Sequence, residues 1–442
     1  MAKENNRKIY IETYGCQMNL NDSEIVSSIL IDADFTIEKK IENADIILLN
    51  TCSVRENAER KILERLIHLK QYKKKKPRLK VGLLGCMAEN FKGTLLDKNE
   101  ILDLVVGPDE YRKLPELLNN SFNKSRHVAV ELSTDETYDD IIPYRENSIS
   151  AYVSIMRGCN NFCSYCIVPF TRGRERSKNS QIIIDEVALL KGKGVKEITL
   201  LGQNVNSYVC PETKITFAKL LELCASSNPD NWFRFITSHP KDMSDELIEV
   251  ISKHQNICKH IHLPLQAGAN RILHKMNRKY TREHYLSLIK KIRFRIPDCA
   301  ITTDIISGFP SETIEEHKQT LSAIEEIRYD GAFMFKYSVR PGTKAESFDD
   351  DVSEDEKIRR LNEIIDLQSK IAKEINKEEI GKVHIALVEG KSKRNPKQWQ
   401  ARSDTNKLII FDLPESKIEK GDFIKLKILR STSATLFGEL VL

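Results

Sequence analysis

A chain of 442 residues is too long for one ordinary core and predicts two or three domains. Its 40% apolar and 30% charged residues are those of a soluble globular protein; no apolar run can span a bilayer, and "MAKENNRKIY" holds no apolar core of a secretory signal. The expected address is therefore cytoplasmic, where thiols stay reduced, so the ten cysteines are read as ligands, catalytic groups or small core residues rather than disulfides. The net charge of +5 is modest, but its placement is uneven: from Gly381 onward there are 12 Lys and Arg against 7 Asp and Glu, and the rest of the chain sums to zero. A small basic module at one end suits a polyanion partner, and equally a solvated lysine-rich surface.

Three strand-like runs open the chain, each ending at a cysteine: "KIYIETYGC" at Cys16, "ADIILLNTC" at Cys52 and "LKVGLLGC" at Cys86. Segments of helical period, such as Asn57 to Lys70, separate them, which is the βαβ pattern of a parallel sheet. In open parallel sheets ligands gather beyond the carboxyl ends of the strands. The cysteines recur at intervals of 36 and 34 residues, about one βα unit each, so three distant thiols can converge on one metal centre. Buried core thiols are the alternative, but packing alone gives no reason for that repeated offset. The run Lys73 to Lys76, "KKKK", reads as an exposed loop before a strand.

From about Ser148 to the mid-370s, six strand-like runs recur with helical patterns between them: "AYVSIM", "EITLLG", "WFRFITS", "CKHIHLP", "AITTDIIS" and "GAFMFKYS". Repeated β then α predicts a parallel sheet or barrel, and six units are too few to close an eight-fold one, so an open partial (β/α)6 barrel is expected. Gln203, Gln266 and Asp304 are read as strand-end residues on the functional face, able to contact a cofactor or to satisfy a loop amide. His260 and His262 alternate along one strand and read as hydrogen-bonded core residues. Ser353 and Glu356 form a capping-box pair, and Ile358, Leu361, Ile365, Ile371 and Ile375 continue a helix that Gly381 ends. The tail, "VHIALVEG", "KLIIFDL" and "DFIKLKIL", predicts a small antiparallel β-barrel.

The first run of the central region leads into "RGCNNFCSYCIVPFTRGRER", which places Cys159, Cys163 and Cys166 at C-x3-C-x2-C. Zinc ribbons supply cysteines in pairs and four ligands in all. A four-iron cubane held by three thiolates leaves one iron open to a substrate or cofactor. A structural zinc completed by a distant residue such as His239 or Cys210 is the alternative reading. Cys210, Cys224, Cys258 and Cys299 fit no cluster spacing and read as small apolar residues. Arg172, Arg174 and Arg176 follow the cysteines and suit phosphate or carboxylate contact, or pairing with neighbouring acids. In the tail Lys393, Arg394, Arg402 and Lys407, with Lys391 and Lys397, suit electrostatic grip on a nucleic acid, and Trp399 suits the barrel core or stacking on a base.

C-x3-C-x2-C after the first strand of a partial barrel resembles the radical S-adenosylmethionine (SAM) superfamily, in which SAM chelates the open iron and Tyr165 would lie near the adenine. Two cysteine triads and a basic barrel resemble its methylthiotransferase family. The strings "YGCQMN", "RGCNNFCSYC", "TRGRERS", "LGQNVNSY", "TSHP", "MNRKYTREHY", "SGFPSET" and "SVRPGT" resemble the tRNA-2-methylthio-N6-dimethylallyladenosine synthase branch over nearly the whole length. Ala401, Ala267 and Phe170 depart from the pattern, and Ala401 puts a glycine turn of the tail in question.

The resemblance implies an α/β chain of three parts: residues 1–145, with a second [4Fe–4S] cluster on Cys16, Cys52 and Cys86; residues 146–376, the radical SAM barrel with a [4Fe–4S] cluster on Cys159, Cys163 and Cys166; and residues 377–442, a TRAM-like RNA-binding barrel. It implies two [4Fe–4S] clusters, SAM as cofactor, and methylthiolation at C2 of N6-dimethylallyladenosine, position 37 beside the anticodon. Implied partners are the tRNA anticodon stem-loop and an electron donor such as a flavodoxin or ferredoxin, with no membrane, and the expected state is a monomer. Sister reactions on threonylcarbamoyladenosine in tRNA, or on an aspartate of a ribosomal protein, stand as alternatives. So does a non-catalytic iron–sulfur RNA-binding protein.

Overall fold

The computed structural model describes residues 7–53, 56–122, 126–146, 148–412 and 418–441. Residues 1–6, read above as lacking a signal core, lie outside them. Six parallel strands form the N-terminal sheet: β1 Lys8–Thr13, β2 Thr36–Ile37, β3 Ile46–Thr51, β4 Lys80–Gly85, β5 Leu104–Val106 and β6 His127–Ala129, in the order β2-β1-β3-β4-β5-β6. Every residue of β3 is buried, because apolar clusters cover both faces of the sheet, and its sequence is accordingly a near-continuous apolar run. β2, β5 and β6 went unpredicted; they are only two or three residues long. Lys73 to Lys75 form the last turn of the helix Glu56–Lys75 instead of a loop. Cations are favoured at a helix C-terminus, and Lys73 Nζ is anchored on Asp103 at 2.6 Å and the Ile101 carbonyl at 2.8 Å.

The central part holds β7 Ser150–Ser154, β8 Met156–Arg157, β9 Arg176–Ser177, β10 Glu197–Leu201, β11 Trp232–Phe235, β12 His260–His262, β13 Ala300–Ser307 and β14 Gly331–Lys336. Two three-stranded parallel sheets, β11-β10-β7 and β12-β13-β14, are joined where Cys258 N donates to Phe233 O at 2.9 Å. The result is the expected arc of six parallel strands, with β8 and β9 a separate antiparallel pair. Helices cover its outer face around one large apolar cluster. Five of them are started by side chains that accept from the first turn, those of Asn179, Thr216, Ser244, Thr281 and Thr313, which is why the helices begin where they do.

The helix Glu354–Glu378 connects to the tail. Ser353 caps it, but Glu356 reaches forward to Arg359 and Arg360 instead of back, so the expected box is half formed. Its buried stripe runs through Ile364, Gln368 and Ile371, whereas Ile358 and Ile365 are exposed. The tail is a closed barrel of β15 Val383–Lys391, β16 Trp399–Ser403, β17 Leu408–Phe411, β18 Phe423–Ser431 and β19 Leu436–Leu440, in the order β15-β16-β17-β19-β18. One pairing, β17 with β19, is parallel, so the barrel is not wholly antiparallel. Ala401 lies inside β16 with its side chain in the barrel core, not at a turn. The barrel docks on the strand starts of the central arc: Arg234 donates to Ser403 O (2.7 Å) and Asp404 O (2.9 Å), and Trp232 packs on Phe423 with ring centroids 4.8 Å apart. Among the described residues no helix is long and apolar enough to cross a membrane.

Candidate metal centres

Cys16, Cys52 and Cys86 follow β1, β3 and β4, which are neighbours in the sheet, with Thr13 opposite Asn50 and Thr51 opposite Gly85. The three thiols therefore leave adjacent strand ends at one level. Asn50, fully buried, ties the ends together by donating to Asn19 O and Ser23 Oγ, both at 2.9 Å, while Cys16 Sγ lies 3.3 Å from Asn19 Oδ1. Gly85 has φ +87°, and a Cβ there would sit 2.5 Å from Asn50 Oδ1. A hydrogen bond with Cys52 is the main cause that pulls the Cys16 thiol down to about 6, against burial and with help from Arg172. Burial raises the Cys86 thiol, and Arg172 offsets only part of that.

The central triad sits in a loop closed at its base by the β8–β9 pair. Gly158 has φ +77°, and any Cβ would lie 2.0 Å from the Arg174 carbonyl oxygen, so only glycine can precede Cys159. Cys159 N donates to Gly173 O at 3.1 Å. A second wall comes from the segment 275–280: Asn277 donates to Asn161 O (3.2 Å) and Phe162 O (2.7 Å), Ser164 Oγ to Lys275 O (2.9 Å), and Arg278 to Cys163 Sγ (3.3 Å). These supports carried no role in the sequence reading; "MNRKYTREHY" was the signal that could have found them. Burial, with Cys163 beside it, pushes the Cys166 thiol up to about 12. A thiol placed as Cys166 is ionises only against strong positive charge, which a bound metal would supply.

None of the ten cysteines is in a disulfide. Among the described residues, no three His, Cys, Asp or Glu side chains gather closely enough to hold a single ion. Three thiols at each site, one to an iron, are a donor set of the kind a cubane takes.

A buried ionic chain joins the two triads. Arg172, in the loop after Cys166, donates from Nε to Cys86 Sγ at 3.1 Å and from Nη2 to Asp22 Oδ2 at 2.7 Å. Asp22 also accepts from Arg157 at 2.9 Å, two residues before Cys159, and Asp109 accepts from Arg176 at 3.0 Å. Burial works against the Asp22 charge, yet the two guanidiniums hold its carboxyl below the usual range. Arg172 is 3% exposed and Arg176 7%, so neither is available to an RNA phosphate; the phosphate reading of these two is corrected to internal pairing. Arg174 is exposed and stacks over Phe162 at 4.8 Å.

Beyond β10, β11 and β12, buried polar atoms without hydrogen-bond partners collect at the strand ends: Gln203 Oε1, Ser238 Oγ, His239 Nε2 and Gln266 Oε1. Atoms of this kind fit a polar cofactor such as SAM. Gln266 holds φ +73°. Asp304 lies inside β13 rather than at its end, with its carboxylate 3.5 Å from His262 Nε2. Tyr165 packs on the central core, edge-on to Phe309 at 6.4 Å. His260 and His262 both hydrogen-bond Thr302 Oγ1 at 3.0 Å.

In the tail barrel Lys393 and Arg394 are exposed. Arg402 pairs with Glu389 at 2.6 Å, and Lys407 reaches across the domain contact to Asp330 (2.8 Å) and Asn376 (3.0 Å). Lys407 is thereby a docking residue, a correction to its reading as a free RNA contact.

Three domain profiles match in succession: an uncharacterized protein family, UPF0004, over residues 8–107; the Radical SAM superfamily over 153–324; and the TRAM domain over 377–441. Proteins named tRNA-2-methylthio-N(6)-dimethylallyladenosine synthase align over nearly the whole chain. The protein of Bacteroides thetaiotaomicron is 53% identical, covering 99% of this chain and 96% of its own. That of Chloroherpeton thalassium is 50% identical, covering 98% and 95%. Among solved structures, the radical S-adenosylmethionine methyltransferase TsrM from Kitasatospora setae superposes with a TM-score of 0.57 at 14% identity, covering 77% of each chain. At that identity the likeness is one of fold.

Proposed function

The chain belongs to the tRNA-2-methylthio-N(6)-dimethylallyladenosine synthase family, and we propose that it performs this radical SAM methylthiolation at two iron–sulfur sites facing one cavity. The reaction replaces the C2–H of N6-dimethylallyladenosine, at position 37 beside the anticodon, with a methylthio group. That hydrogen is not appreciably acidic, so the reaction calls for no catalytic triad or paired carboxylates. When bound, the clusters and SAM supply the radical, sulfur and methyl chemistry that the side chains lack.

The residues of the chain do the rest. Cys159, Cys163 and Cys166 would hold the cluster that works with SAM. Gln203, Ser238, His239 and Gln266 offer that cofactor their unpartnered polar atoms. Cys16, Cys52 and Cys86 would hold the second cluster, the one supplying sulfur. The observation that carries the reading is Arg172, which rises from the loop of one triad to touch a thiol of the other. Exposed Lys393, Arg394 and Arg174 grip the anticodon stem-loop, whose single-stranded loop can release a base into the site. The chain acts as a monomer and takes electrons from a small redox protein such as a flavodoxin or ferredoxin.

The test is turnover by the anaerobically reconstituted protein on anticodon stem-loops carrying adenosine, dimethylallyladenosine or threonylcarbamoyladenosine, read by mass spectrometry. Product from the dimethylallyl substrate alone supports the reading. Product from the threonylcarbamoyl substrate instead overturns the substrate assignment.

A further inference from the structure

Each triad has one thiol that receives an N–H from a buried arginine: Cys86 from Arg172 Nε at 3.1 Å, and Cys163 from Arg278 Nη1 at 3.3 Å. Arginine stays charged at any working pH. Among the described residues, the buried Arg157, Arg172 and Arg176 have two carboxylates within ion-pair distance, Asp22 and Asp109, and Arg172 turns its remaining edge to the cysteine triad at Cys86. Arg172 Nη1 is buried without an acceptor. Arg278 is 8% exposed, and its hydrogen bonds go to Tyr280 OH, Pro264 O and Cys163 Sγ, none of them a carboxylate. A buried cation without a counter-charge is strongly unfavourable. Thiolates holding a cluster would supply counter-charge to the arginine at each triad.

A cubane in its resting state on three thiolates carries one net negative charge, and taking up one electron doubles it. A fixed cation donating to a ligating sulfur favours the more negative state, since hydrogen bonds to the sulfurs and net charge set such potentials. We propose that Arg172 and Arg278 are paired positioning residues, each of which raises the reduction potential of the cluster whose thiolate it touches. The inference rests on the two-cluster reading above. The step concerned is a one-electron reduction: the cluster gains an electron from an external reductant, dithionite in the test, and no bond to the arginine forms or breaks.

The experiment uses the full chain with one triad at a time replaced by alanine, so that a single cluster is present, titrated with dithionite and followed by electron paramagnetic resonance. Iron is counted first. In the chain keeping Cys16, Cys52 and Cys86, Arg172→Gln lowers the reduced-to-oxidised ratio at fixed potential about tenfold, a shift of about 59 mV to the negative for one electron. Arg172→Lys, which keeps the charge but not the planar fork, recovers part of it. In the chain keeping Cys159, Cys163 and Cys166, Arg278→Gln and Arg278→Lys behave in the same way, and each arginine leaves the other triad's potential unmoved. Where a glutamine variant fails to hold iron, the lysine variant carries the test. Full iron content with the parent's potential in every variant overturns the inference. A parent whose N-terminal triad holds no iron overturns the two-cluster reading and the Arg172 half with it, and leaves the Arg278 half to its own arm.

Discussion

Arg172 Nε lies 3.1 Å from Cys86 Sγ, so a side chain from the central cysteine loop reaches a candidate ligand of the N-terminal domain. The arginine end of that contact is fastened through Asp22, which is fully buried and accepts from Arg157 and Arg172 together. Asp22→Asn keeps the shape and removes the charge, leaving two buried guanidiniums facing a neutral amide. Breaking a buried pair from one side costs about 3–5 kcal/mol. Urea unfolding of the metal-free variant is expected to show a loss of that order, with the N-terminal and central domains no longer unfolding together.

Gly158→Ala tests the cluster loop without touching a thiol. The new methyl group would meet the Arg174 carbonyl, at a φ of +77° that alanine rarely adopts. The expected result is loss of the central cluster, about half of the iron, with the N-terminal cluster kept. Iron analysis after anaerobic reconstitution reads it directly.

Acid should weaken the central barrel earlier than carboxylates alone would make it. Burial, followed by the charges of Arg278 and Lys241, holds His239 down at about 2, and burial with Arg234 and His262 holds His260 at about 3. Both stay neutral when folded and take up a proton near 6.5 when unfolded. The unfolded chain then binds more protons below that pH, so stability is complete above about 6.5 and falls as pH drops through the interval to the folded values. The slope is at most about 1.4 kcal/mol per pH unit for each histidine. Urea midpoints at pH 7.5 and 5.5 should differ, and His260→Asn should reduce the difference.

RNA binding should separate the tail cations. Lys393, Arg394 and Lys397 are exposed, so each alanine substitution should weaken stem-loop binding about evenly across sequences and lower the salt slope by about 1. Lys407→Ala should leave the slope unchanged and loosen the barrel from Asp330 and Asn376 instead. Filter binding at several salt concentrations distinguishes the two outcomes.

Much of this was legible before any coordinates. Cys16, Cys52 and Cys86 declared themselves because each closes an apolar run, and β1, β3 and β4 did prove adjacent. The arc of six strands could be read from runs of the right length, β13 to the residue. The arginines were harder. A burst such as "TRGRER" suits phosphate contact as well as pairing with nearby acids, and nothing local shows that Arg172 finds its partner 150 residues away in Asp22, on a helix of the other domain. Lys407 was misread for the same reason: its partner Asp330 is 77 residues distant. The short strands β2, β5 and β6 had too few residues to show alternation, and Lys73 to Lys75 looked like a loop because lysine runs at helix ends and in loops have the same composition.

The most direct test of the account counts iron and turnover together in three anaerobic preparations: the parent chain, Cys52→Ala and Cys159→Ala. The account predicts about eight irons in the parent, four for each [4Fe–4S] cluster. It predicts about half that number in each variant, and no methylthiolated product from either. Full turnover by Cys52→Ala, or zinc in place of iron in the parent, would contradict it.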